Sequence, residues 1–183
     1  MAANPKLGIL ATDIWDTPED GNRYEVIDGE LYVTPPPVPR HQGALGELHW
    51  LIRTYLQTNP IGRVFFAPIG VVLDEGTGVQ PDLVYIAREH EGIVSDRGIE
   101  GAPDLVVEVL SPSTSTRDRG IKMRRYARAR IPHYWIVDPK TATVEPYRLG
   151  EQGYELLGAY VAGSTFRPEL FPGLEIPVDE IWQ

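Results

Sequence analysis

The run Pro103-Asp104-Leu105-Val106-Val107-Glu108-Val109-Leu110 decides the fold. It is almost continuously apolar, as expected of a strand covered on both faces. Ser111-Pro112-Ser113-Thr114 breaks it, and Ser113 to Thr116 offer caps for a helix expected to run to about Ala129. Ile131-Pro132 interrupts that helix before a further apolar strand, HYWIVDP at 133–139.

Upstream, VQPDLVYIA (79–87) reads as a short apolar strand. GRVFFAPIGVVLD (62–74) reads as a β-prone stretch, closed by the turn Asp74-Glu75-Gly76-Thr77-Gly78. From His41 to about Thr58 the period becomes helical, with Ala44, Leu45, Leu48, Leu51, Ile52, Tyr55 and Leu56 on one stripe. His41, Glu47 and Arg53 are read as lying off it. Earlier still, RYEVIDGELYVTP (23–35) predicts a β-hairpin turning at Asp28-Gly29, and Thr34 to Pro39 is a proline-rich break. Residues 1–20 form a lead-in segment with a short helix near Thr17-Pro18-Glu19-Asp20.

Between the strand at 79–87 and the opening run, residues 88–102 read as a polar loop with room for a helical turn. VEPYRL (144–149) and YELLGAYV (154–161) predict an antiparallel pair, and the tail 164–183 packs its aromatics on the core. The expected architecture is one α/β (α+β) domain over 1–183: a mixed sheet flanked by helices, with an N-terminal β-hairpin.

Length and composition agree with that. The chain has 183 residues, 42% hydrophobic and 23% charged, enough for one well-buried core. It has no cysteine, which excludes disulfides, thiolate metal sites and a cysteine nucleophile. No apolar run is long enough to span a bilayer, and no secretory signal pattern opens the chain, so a cytoplasmic location is expected.

The net charge of −9 argues against a protein that coats nucleic acid indiscriminately. The cations are nonetheless segregated. Arg117, Arg119, Lys122, Arg124, Arg125, Arg128 and Arg130 stand against Asp118 alone in the segment 117–130. Such a segment either presents a basic face to a polyanion or is a solvated helix face paired with acidic neighbours.

Carboxylates in the apolar strands carry the chemistry. Glu108 is the only charge between Leu105 and Leu110, and an isolated carboxylate is costly to bury unless paired or bound to metal. A salt bridge to Lys122 or a nearby arginine is the plain structural alternative. Asp104, four residues earlier on the same strand, is about 13 Å away, too far to share an ion. Asp82 lies on another strand; if the two are neighbours, the carboxylates face each other across roughly 5 Å. Carboxylate oxygens suit Mg²⁺ or Mn²⁺. His41, His49, His90 and His133 show no ligand spacing and read as surface or capping residues. No glycine-rich phosphate loop and no nucleophile elbow is present.

The succession PDLVYI, PDLVVEVLSPST, DRGIKMRRYA and HYWIVDP, with YEVIDGELYV before it and FPGLEIPVDEIW after it, resembles the Uma-type family of restriction-endonuclease-like proteins. That family is a branch of the PD-(D/E)xK nuclease superfamily, and the resemblance covers nearly the whole chain. It implies a mixed sheet in the order α-β-β-β-α-β. It implies that Asp82 and Glu108, with the Val109 carbonyl, hold Mg²⁺ or Mn²⁺, and that Lys122 assists catalysis. The general pattern has its lysine two residues after the glutamate, where this chain has Leu110; Lys122 takes the Uma-type place in the next helix. Glu25 and Tyr126 become supporting residues, and Arg117, Arg119 and Arg124 become contacts to DNA phosphates. The implied activity is endonucleolytic hydrolysis of DNA, with a homodimer suited to cutting both strands. The alternatives are a non-catalytic nuclease-fold module for binding or interaction, and a hydrolase of some other phosphate ester.

Overall fold

A computed structural model describes residues 8–182. The first seven residues of the lead-in segment and the last residue of the tail lie outside the described residues. A 3₁₀ turn at Ala11–Asp16 stands in place of the helix expected at 17–20. Ala11 and Ile14 are buried there, and packing of this pair outweighs the local cap-and-proline signal at Thr17-Pro18. Gly78 makes the approach possible, because a Cβ at that position would run into the Ala11 backbone.

The hairpin forms as its sequence requires. β1 (Arg23–Ile27) and β2 (Glu30–Thr34) pair antiparallel, with Ile27 opposite Glu30. The two turn residues, Asp28 and Gly29, have φ of 57° and 74°. Both angles positive is the demand of a two-residue turn matched to strand twist.

Helix α1 (Pro39–Thr58) starts with proline in its first turn, where a missing N–H costs nothing. Its buried stripe is Ala44, Leu45, Leu48, Ile52 and Leu56, and His41 is buried with them. The expectation of a surface His41 is therefore corrected. His41 precedes Ala44, Leu45 and Leu48 by three, four and seven positions, so it lies on the stripe. Glu47 is half-buried and Arg53 exposed.

The stretch 62–74 is two strands in two sheets. β3 (Gly62–Phe66) and β4 (Val71–Asp74) are separated by Ala67-Pro68-Ile69-Gly70, where proline lacks a ladder donor. β5 (Thr77–Val79), β6 (Leu83–Ala87), β7 (Ile99–Glu100) and β8 (Leu105–Val109) follow. The smaller sheet runs β2-β1-β5-β4-β7. The larger one runs β11-β10-β9-β8-β6-β3, where β9 is His133–Asp138, β10 is Thr143–Leu149 and β11 is Tyr154–Leu156. β12 (Tyr160–Val161) also pairs with β10. β6 and β8 are antiparallel, whereas β8 and β9 are parallel and joined by a helical crossover. β13 (Thr165–Phe166) and β14 (Ile176–Pro177) form a small ribbon, and Val178–Trp182 closes as a 3₁₀ turn.

The large sheet is covered on both faces, which explains the unbroken apolar run of β8. Leu105, Val107 and Val109 point into one cluster with α1, Trp135, Phe166 and Phe171. Phe171 meets Tyr85 edge-on at 4.8 Å and Trp135 at 6.1 Å, so the tail aromatics do pack on the core. Each such pair contributes about 1 kcal/mol beyond area burial. Val106 and Leu110 belong to the opposite cluster, with Tyr126, Tyr134 and Ile136. Glu108 alternates onto this second face.

Candidate active site

The crossover from β8 to β9 delivers the basic partner of Glu108. It is helical from Ser115 to Arg128: α2 (Ser115–Arg117), a π-helical stretch Asp118–Lys122, and α3 (Met123–Arg128). Asp118, Lys122 and Tyr126 follow at intervals of four and are all buried. A π turn inside a helix is a costly irregularity that concentrates at functional positions.

Lys122 Nζ lies 2.6 Å from Glu108 Oε1 and 2.8 Å from Glu25 Oε1, with Asp118 Oδ1 at 3.7 Å. Tyr126 donates its hydroxyl to Glu108 Oε1 at 2.6 Å. The helix thus supplies the lysine that position 110 lacks, from the same face of the sheet. Glu25, on β1, also accepts the Gln80 N–H at 3.0 Å. The small sheet therefore brings one acid, the large sheet one and the crossover helix a third.

Asp82 sits immediately before β6 and is buried. Its Oδ1 accepts from Arg23 Nη2 at 2.6 Å. Its Oδ2 accepts the Val109 N–H at 2.7 Å, and His41 Nε2 lies 3.2 Å from the same oxygen. Asp82 is thus pinned to β8 one residue beyond Glu108. Asp104 is elsewhere, with one oxygen on the Ala87 N–H at 2.7 Å and the other 2.8 Å from His90 Nδ1.

Burial and charge set the protonation of the cluster. Burial pushes Asp82 up, but His41 and the Arg23 charge outweigh it and hold the carboxyl at about 2. Burial raises Glu108 to about 8; Lys122 opposes this, while Asp118, Asp82 and Glu25 add to it. Asp118 is raised for the same first reason. Glu25 is lowered, because Lys122 more than offsets its burial. Lys122 is raised despite burial, by Glu108, Glu25 and Asp118, so its ammonium stays charged.

These groups line a cavity of about 190 Å³, walled by Thr34 to Val38 on one side and Ser111 to Thr114 on the other. Val38, His41, Ser111 and Pro112 also line a neighbouring cleft of about 700 Å³. The basic segment is not one solvated stripe. Arg117 turns inward, donating to Thr34 Oγ1 at 2.6 Å and stacking over Tyr32. Arg119 grips Glu145 with two hydrogen bonds at the edge of the large cleft. Arg125 pairs with Asp28, and Arg124 is exposed outside both cavities.

Sequence reasoning missed Arg23, His41 and Asp118 as members of the cluster. Arg23 had a signal, since it alternates with Glu25 on one strand face. Asp118 had one as well, four residues before Lys122.

The donor set suits a hard divalent cation. Glu25, Asp82, Glu108 and Asp118 stand against the permanent charges of Arg23, Arg117 and Lys122. Asp118 Oδ1 is buried without a hydrogen-bond donor. Glu108 is pushed up first by burial, and the neighbouring acids Asp118, Asp82 and Glu25 add to the rise. Still, no preformed group of three or more histidine or acidic side chains arranged for a metal occurs among the described residues.

The family model whose description reads "Putative restriction endonuclease" matches residues 12–179. The chain belongs to this Uma2 family. No curated protein matches it. Among solved structures it is similar to a putative nuclease of DUF820 from Anabaena variabilis, with a TM-score of 0.76 and 20% identity over 95% of this chain and 97% of that one. Uma2 membership and that structural likeness agree with the α+β architecture of mixed sheets flanked by helices.

Proposed function

We propose that this Uma2 protein is a metal-dependent endonuclease that hydrolyses DNA phosphodiester bonds. The observation that carries the reading is the meeting of Asp82, Glu108, Glu25 and Lys122, from four separate elements, in one buried cavity. Asp82 and Glu108, with the Val109 carbonyl, would hold Mg²⁺ or Mn²⁺. When bound, such an ion polarises a phosphate and lowers the pKa of its water.

The chain's own groups have distinct tasks. Lys122, held as an ammonium, is no proton acceptor; it neutralises charge building on the phosphate oxygens. Glu25 anchors that ammonium at 2.8 Å, and Tyr126 fixes the Glu108 carboxyl at 2.6 Å. Arg23 and His41 orient Asp82.

Plasmid nicking with Mg²⁺ or Mn²⁺ tests the proposal. Activity lost with EDTA and with Asp82→Ala is the expected result; activity that survives either change refutes this site.

A second reading is a non-catalytic nuclease-fold module. It is favoured by the engagement of both Asp82 oxygens with Arg23, His41 and Val109. Calorimetric metal titration separates the two: binding that disappears in Asp82→Ala supports the nuclease, and no binding supports the module.

A further inference from the structure

We infer that the substrate of this site is single-stranded or locally unpaired DNA rather than intact duplex; this rests on the nuclease reading above. Depth is the first reason. Asp82, Glu108, Glu25 and Lys122 are each only 1% exposed, at the floor of the cavity of about 190 Å³. Its rim carries Pro35, Pro36 and Pro37, whose φ angles are locked. A duplex presents its phosphates on the outside of a stiff rod. A lone strand bends its backbone into a recess that such a rod bridges.

The adjoining cleft supplies the second reason. Its volume of about 700 Å³ falls in the range that encloses a small organic ligand, room for a nucleotide or two beside the reacting phosphate. Val38, Leu110, Pro112 and Pro139 give it apolar walls for sugars and bases. Paired bases in a stack do not offer those faces; unpaired ones do.

Charge is the third. In the cleft, Arg119 is already spent on Glu145, which leaves Arg40 and Lys140, both exposed, facing the solvent. Two cations are a footprint for a short strand, and the chain as a whole carries −9. A duplex-binding protein that makes about six to ten phosphate contacts draws on many more cations than this cleft presents. Cutting a single strand also needs only one site, so a monomer suffices.

The test compares one oligonucleotide sequence as a single strand, as a blunt duplex and as a duplex with an unpaired flap. Binding is read by fluorescence anisotropy with Ca²⁺, and cleavage with Mn²⁺. Single strand and flap should be bound and cut at least about tenfold better than blunt duplex, with a salt slope of about −1.4. Arg40→Ala with Lys140→Ala should weaken single-strand binding about tenfold and flatten that slope, at unchanged Tm. Equal or better cleavage of the blunt duplex overturns the inference and leaves the nuclease standing. Single-strand binding without any cleavage overturns the nuclease and keeps the cleft's preference. No binding to any of the three overturns both.

Discussion

The Lys122 ammonium lies 2.6 Å from Glu108 Oε1, with both side chains out of solvent and Glu25 sharing the same ammonium. One cation thus serves two strands from two sheets. Removing it leaves several buried acids facing one another. Lys122→Met is expected to destabilise the protein by about 3–5 kcal/mol at neutral pH, the usual cost of breaking a buried pair from one side. Urea denaturation should show much of that loss recovered near pH 5, where Glu25 and Asp118, left without the ammonium, take up protons. A loss independent of pH would mean the lysine acts by packing alone.

Glu108 makes stability depend on pH in an unusual direction. Its carboxyl rises from 4.5 to about 8 on folding, so between those values the folded chain holds a proton that the unfolded chain has released. Stability therefore falls as pH rises through that window. Asp82 acts the other way: held at about 2, it adds stability above 3.8 that is lost as pH falls toward 2. In EDTA, denaturation midpoints should decline from about pH 5 to pH 8. Glu108→Gln should remove that decline and leave the acid limb intact.

The same proton reports on metal binding. A cation held by Asp82 and Glu108 requires the ionised Glu108, so binding should expel about one proton per ion below pH 8. Calorimetry in buffers of different ionisation enthalpy reads this number directly. Affinity should strengthen with pH up to about 8, and Glu108→Gln should weaken it and abolish the release. Binding with no proton release would place the ion on other ligands.

The sequence exposed β8, β6 and α1 through their apolar patterns, and the crossover helix through the caps at Ser113 to Thr116 and the break at Ile131-Pro132. It also singled out Asp82 over Asp104 from strand spacing, and the structure places these two residues at opposite ends of β6. The alternation of Arg23 with Glu25 and the spacing that sets His41 on the helical stripe were there to be read, but their pairing with Asp82 was not. Their importance arises only when β1 and the first turn of α1 close on Asp82, contacts that span 59 positions in the case of Arg23. The Ala11–Asp16 turn was hidden for a similar reason: its cause is the open backbone at Gly78, far along the chain. The basic run left open whether Arg117 and Arg119 face a polyanion or pair with neighbours, and only the fold shows Thr34 and Glu145 as their partners.

Tyr126 allows the hydrogen bond to Glu108 to be separated from packing. Its ring is fully buried against Tyr134, with centroids 5.2 Å apart, and its hydroxyl lies 2.6 Å from Glu108 Oε1. Tyr126→Phe keeps the ring and deletes the donor. The expected cost is about 1.5–3 kcal/mol at pH above 8, where Glu108 is ionised and the bond is charge-assisted. Below that value the protonated carboxyl needs the hydroxyl less, and the cost should shrink. If Tyr126 orients Glu108 for a metal, the variant should also weaken Mn²⁺ binding by several-fold while leaving the fold intact. A Tyr126→Phe protein with wild-type stability across pH and unaltered Mn²⁺ affinity would reduce Tyr126 to a packing residue.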